Sequence, residues 1–134
     1  KSIVENYGSS DAGGIAELLL ANCYYALGKI EEAAKSYEHC GVSDSRLKAA
    51  AFAGLASCEE IKNDYKSAAE HFQKAASASG TQKITSEYLL KSANDFGRSG
   101  DKSTALELYK RLKKEFPQSQ EARDVERYIA EYAG

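Results

Sequence analysis

Methionine is absent from these 134 residues, proline occurs once, histidine twice and cysteine three times. The two histidines, His39 and His71, and the odd set Cys23, Cys40 and Cys58 lack the spacing of a zinc motif, so no metal and no cofactor is expected. Neither sign of charge dominates. Eighteen Lys and Arg against twenty Asp and Glu leave a net charge of -2, which offers no basic footprint for nucleic acid or an anionic membrane surface. Also missing are a run of about 18 apolar residues and a charged-then-apolar leader, so these residues neither span a membrane nor carry a signal peptide. With no methionine, and with Ile3, Val4 and Tyr7 reading as the end of a helix, the chain is expected to be a fragment whose anchor or export signal would lie upstream of Lys1.

What is present is a repeat. A 43% hydrophobic, 28% charged composition suits one soluble globular domain, and within it Ala21, Gly28, Ala33 and Tyr37 are echoed by Ala56, Asn63, Ala68 and Phe72. A third echo follows at Ala93, Gly100, Ala105 and Tyr109. The offsets of about 35 and about 37 residues are the period of stacked helix pairs rather than of a catalytic domain. Each pair cannot bury its apolar face alone, so the copies must stack, and stacking makes an extended surface for a partner.

Local signals place the helices. In copy one the first helix runs from about Ala12 to Leu27, with Ser10 or Asp11 as N-cap and Gly28 at its end. Ile30, Ala33, Ala34, Tyr37 and Cys40 then give an amphipathic helix of about ten residues closing at Gly41, with Glu31 and Lys35 paired on its outer face. Copy two is capped by Ser43 or Asp44, turns at Asn63-Asp64, carries Glu70 and Lys74 as a surface pair and stops near Ser79-Gly80. Copy three starts after Thr81, turns at Gly100-Asp101 and ends at Pro117. A seventh helix, about Ser119 to Ala133, sets Ala122, Val125, Tyr128, Ile129 and Tyr132 against Glu121, Arg123, Glu126, Arg127 and Glu131, the pattern of a polar-backed cap. The small residues Ala21, Ala56 and Ala93 should face Ala33, Ala68 and Ala105 so that the paired backbones approach closely. Cys23 and Cys58, in one column, are expected as buried thiols.

At these columns the chain resembles the tetratricopeptide repeat family over about residues 14 to 117. The family's small residue, Tyr, Gly, Ala and aromatic are matched by Ala21, Tyr24, Gly28, Ala33 and Tyr37, with Cys40 for the last small residue. Copy two matches through Ala56, Tyr65, Ala68, Phe72 and Ala75 but has Glu59 for an aromatic and Asn63 for glycine. Copy three matches through Ala93, Phe96, Gly100, Ala105, Tyr109, Leu112 and Pro117. The resemblance implies an all-α, right-handed α-solenoid of three helix pairs plus a C-terminal capping helix. It divides the chain as 1–13, the end of an upstream repeat and a linker, then 14–47, 48–84 and 85–118 as repeats and 119–134 as the cap. Glu115-Phe116-Pro117-Gln118-Ser119-Gln120-Glu121-Ala122 is further similar to a junction of bacterial cell-envelope members, weakly echoed by Asn6 to Gly13. That implies a periplasmic or membrane-anchored setting through an upstream segment.

The family's groove is lined by the first helices, so the resemblance assigns partner contact to Leu18, Asn22, Tyr25, Ala53, Ser57, Glu60, Leu90, Lys91 and Asn94. A carboxylate clamp does not fit. Leu18, Ala53 and Gly54 stand where it needs polar groups, and Asn22 and Lys91 are its only traces. A mixed apolar and amide groove suits an extended or helical peptide. Catalysis has little support: His39 and His71 are expected on the outer surface, and the neighbouring acids Glu31-Glu32 and Glu59-Glu60 splay about 100° apart on a helix. The basic run Lys110-Arg111 and Lys113-Lys114 is flanked by Glu107 and Glu115 and reads as a solvated face. Tyr24, Tyr37, Tyr65, Tyr88, Tyr109 and Tyr128 fall on packing columns and leave Tyr25 for contact. The expected function is therefore a non-enzymatic protein-protein scaffold. Self-association through the N-terminal end and an RNA-binding helical repeat are the alternatives, the latter opposed by the acidic balance and Glu60.

Overall fold

The computed structural model describes residues 11–133, all of whose regular structure is helical. In chain order the helices are α1 (Asp11–Ala26), α2 (Ile30–Glu38), α3 (Ser45–Ile61), α4 (Tyr65–Ala78), α5 (Gln82–Ser99), α6 (Lys102–Glu115) and α7 (Gln120–Ala133). Each packs on its neighbours in sequence, making an all-α solenoid of three pairs and a final helix. The expected cap at Ser10, the helix end at Ile3, Val4 and Tyr7, and Tyr132's side chain lie outside the described residues. Asp11 is already helical.

The same turn joins both helices of every pair. Gly28, Asn63 and Gly100 take left-handed backbone, φ 79°, 62° and 97°, and the following amides of Lys29, Asp64 and Asp101 reach back to Tyr24, Glu59 and Phe96 carbonyls at 2.8–2.9 Å. This closes the preceding helix and satisfies carbonyls it would otherwise strand. Asn is the side-chain-bearing residue that tolerates this region best, which explains Asn63 in a glycine column. Asp64 and Asp101 then cap the second helices through the Ser67 and Thr104 amides. Lys29 has nearly the same φ and ψ but gives no side-chain cap. Its helix α2 has nine residues where α4 and α6 have fourteen, so it falls slightly short of the expected ten. Asp44 and Thr81 cap α3 and α5 as their sequence positions predict.

The alanine register is as expected. Ala21, Ala33, Ala56, Ala68, Ala93 and Ala105 are all fully buried, and each proposed pair shares a core cluster. Between pairs, the ring at the second helix's aromatic column meets one column of the next first helix. Tyr37 lies so close to Gly54 that a Cβ there would sit 2.3 Å from its ring. Phe72 lies beneath Lys91 Nζ, 5.8 Å from the ring centroid. Tyr109 stacks on Tyr128 of α7 at 5.5 Å, and Val125 is buried beside it while Arg123, Glu126 and Arg127 face water. Glu121 departs from the expected charged face by accepting a 3.0 Å hydrogen bond from the buried Ser86 hydroxyl.

Several surface expectations change. Glu31 pairs with Lys62 of the next repeat instead of Lys35, because Lys62 sits at the neighbouring turn. Lys74 lies over the Phe52 ring at 5.9 Å rather than beside Glu70. Cys58 is buried, but Cys23 is exposed, because its column points towards the preceding pair and no described helix covers α1 on that side.

Two substitutions test this register. Ala68→Leu should overpack α3 against α4 and cost about 1 to 3 kcal/mol, read as a lower melting temperature; an unchanged midpoint would refute the pairing. Lys29→Asp should restore the missing cap and raise the midpoint by about 1 kcal/mol of stability.

Candidate functional site

The candidate surface is built from α1, α3 and α5, whose residues 22, 57 and 94 share one column. Asn22 and Asn94 accept hydrogen bonds from the Tyr37 and Tyr109 hydroxyls, each at 2.5 Å. Burial, first of its causes, pushes Tyr37 up to about 12, so the phenol stays a donor at neutral pH. In copy two both partners change together: Phe72 has no hydroxyl, and Ser57 turns back to the Ala53 carbonyl at 3.0 Å. The carbonyl ends of Asn22 and Asn94 thus tie the two helices of a pair.

Between α3 and α5 opens a pocket of about 480 Å³ lined by Glu60, Tyr65, Lys91, Asn94 and Arg98. Beneath it is Asp95, fully buried, in the column that holds Cys23 and Cys58 in the earlier copies. Arg98 donates to Asp95 Oδ1 at 2.7 Å, lies 3.8 Å from Glu60 and covers the Tyr65 ring at 5.9 Å. Asp95 Oδ2 is buried without an N–H or O–H partner among the described residues. Glu60 is pushed up to about 7, by burial first and then by the neighbouring Asp95 carboxyl, against the pull of Lys91 and Arg98. A proton held on Glu60 relieves the repulsion between two carboxyl groups brought together from different helices.

A second polar cluster sits between α3 and α4. His71 lies 2.6 Å from Glu59 and stacks on Phe52 with centroids 6.3 Å apart, so it is partly buried rather than on the outer surface expected of it. Its helix position faces α3, where Glu59 offers a carboxylate. Burial raises Glu59 and His71 opposes that shift. His39 is exposed, its Nδ1 2.6 Å from the Lys35 carbonyl. Burial also pushes the Cys40 thiol up to about 11, which keeps it protonated and unreactive. No group of three or more His, Cys, Asp or Glu side chains among the described residues could hold a metal ion.

Of the sequence-predicted contacts, Glu60, Lys91 and Asn94 come together around the α3–α5 pocket. Asn22 and Tyr25 are exposed on α1, and Ser57 is partly buried. Leu18 is 8% exposed and packs in the first core cluster, while Ala53 and Leu90 pack against core clusters. Tyr65, Arg98 and Asp95 were missed. An acid in a column otherwise holding cysteine was the signal available, with Arg98 three residues on.

Two stretches of the chain, residues 16–41 and 87–119, match the tetratricopeptide repeat family model. Both stretches are similar to tetratricopeptide repeats. No curated protein and no solved structure matches the chain. The pair between the two matched repeats keeps their turn and their alanine contact, with Asn63 and Glu59 as its departures. Tetratricopeptide repeats generally mediate protein-protein interaction and are typically non-enzymatic scaffolds. No helix among the described residues is long and apolar enough to cross a membrane.

The carboxyl pair makes a pH test. Folding raises Glu60 from 4.5 to about 7, so the folded chain holds this proton more tightly than the unfolded one. The resulting penalty is absent at pH below the lower value, grows as pH rises towards the upper one and is complete above it. Glu60→Gln should therefore melt close to the parent at about pH 5 and above it at about pH 8. A difference that stays constant across this range would refute the raised Glu60 carboxyl.

Proposed function

We propose that the chain is a non-enzymatic scaffold that holds a peptide or protein segment along the face of α1, α3 and α5. The observation that carries this reading is the α3–α5 pocket, where a phenol, an amide, an ammonium, a guanidinium and a carboxyl raised to about 7 converge within one repeat step. Donors and acceptors stand side by side there, which suits the alternating N–H and C=O groups of a peptide backbone. Exposed Tyr25 and Asn22 extend the same face across pair one. The repeat units are taken as 14–47, 48–84 and 85–118. Similarity of Glu115 to Ala122 to the envelope-type junction supports a narrower role, as part of a bacterial membrane-anchored envelope or secretion accessory protein.

Peptides selected against the immobilised chain from a displayed random library test the first part. Tyr65→Ala and Lys91→Ala should each weaken the selected peptides by about tenfold, and Tyr25→Ala should weaken those reaching pair one. Peptides indifferent to all three substitutions would rule out this face.

A further inference from the structure

Helix α1 is apolar on nearly every side. Glu17 is its one charged residue after Asp11, and helices of that kind are ordinarily covered all round. Yet Ile15, Leu19 and Leu20 within it, and Leu27 just past its end, are 40%, 58%, 44% and 71% exposed, with Ala16 and Cys23 exposed between them. The repeat register says what this stripe is. Ala16, Leu20 and Cys23 stand where α3 has Ala51, Leu55 and Cys58, which are 8%, 6% and 0% exposed and packed in the cluster with Ala33 and Tyr37 of α2. Leu19 stands in the column of Gly54, Lys91 and Tyr128, each of which meets an aromatic ring from the preceding second helix. The opposite end of the solenoid is closed by α7, whose outer face carries charge.

The geometry points to the outer face of α1 as a docking site for an amphipathic helix that carries an alanine one turn before an aromatic residue, as Ala33 and Tyr37, Ala68 and Phe72, and Ala105 and Tyr109 stand in α2, α4 and α6. Continuity with the α2–α3 interface argues for this occupant. The same columns recur, one of them already meets a ring three times, and nothing in the stripe is charged, so a helix is received on packing alone. This surface is separate from the pocket of the proposed peptide-binding face, which lies between α3 and α5.

The probe is a capped peptide with the α4 sequence, residues 64–80, titrated into the full chain with a fluorescent label. Saturable binding is expected, weakened by about tenfold or more by Leu19→Glu in the chain or by Phe72→Ala in the peptide. Leu19 is exposed, so its variant should fold, and circular dichroism checks that it does. Lys91→Ala should leave this binding unchanged while weakening peptides of the other face, which separates the two surfaces. Absence of saturable binding, or binding indifferent to Leu19→Glu, would overturn the assignment. A dimer in light scattering that Leu19→Glu turns into a monomer would also overturn it, in favour of a second copy of the chain.

Discussion

An aromatic ring carried by each second helix and set down on one column of the next first helix is the contact that turns three hairpins into one body. Tyr37 needs Gly54 because the ring occupies the space of a side chain. Phe72 accepts a lysine ammonium over its face, and Tyr109 stacks on a ring of α7. The chemistry differs at every step while the position does not. Within a pair, close approach is set by alanine on alanine, which fixes distance but contributes little apolar area. The larger apolar side chains of the core are these rings together with Leu55, Leu89 and Leu112.

Copy two shows how such a column tolerates change. The tyrosine hydroxyl and its asparagine acceptor in copies one and three have become Phe72 and Ser57, so neither side is left with a buried group lacking a partner. Removing both halves of a hydrogen bond costs far less than removing one. Asn63 follows the same logic at the turn, replacing glycine with the residue that strains least at positive φ. A pair can thus drift from the family pattern at several columns and keep the family's geometry.

The helices, their turns and the alanine register could be read from the sequence because they depend on residues within about one repeat, where periodicity and capping speak directly. Asp44, Thr81 and the Gly100-Asp101 turn are of this kind. What the sequence concealed is contact between repeats. Glu60 and Asp95 meet across 35 positions on different helices, and sequence neighbours such as Glu59-Glu60 drew attention to the wrong pairing. His71 reads as a surface residue among charges until α3 brings Glu59 and Phe52 to it. Cys23 fails for the opposite reason: its column promises burial, but burial needs a neighbour on that side.

The uncapped turn at Lys29 gives the array a polarity. In a solenoid each unit is held only by its neighbours, so the chain loosens first where local structure is weakest and contacts are one-sided. Pair one has both properties, with a short α2, no aspartate at its start and an α1 flank that no described helix covers. Pair three has neither, enclosed by α7 and anchored by Tyr109, Leu112 and Val125. Amide protons in α1 and α2 should accordingly exchange with solvent before those of α5 and α6, and the molecule unzips from one end like a frayed rope rather than dissolving along its length.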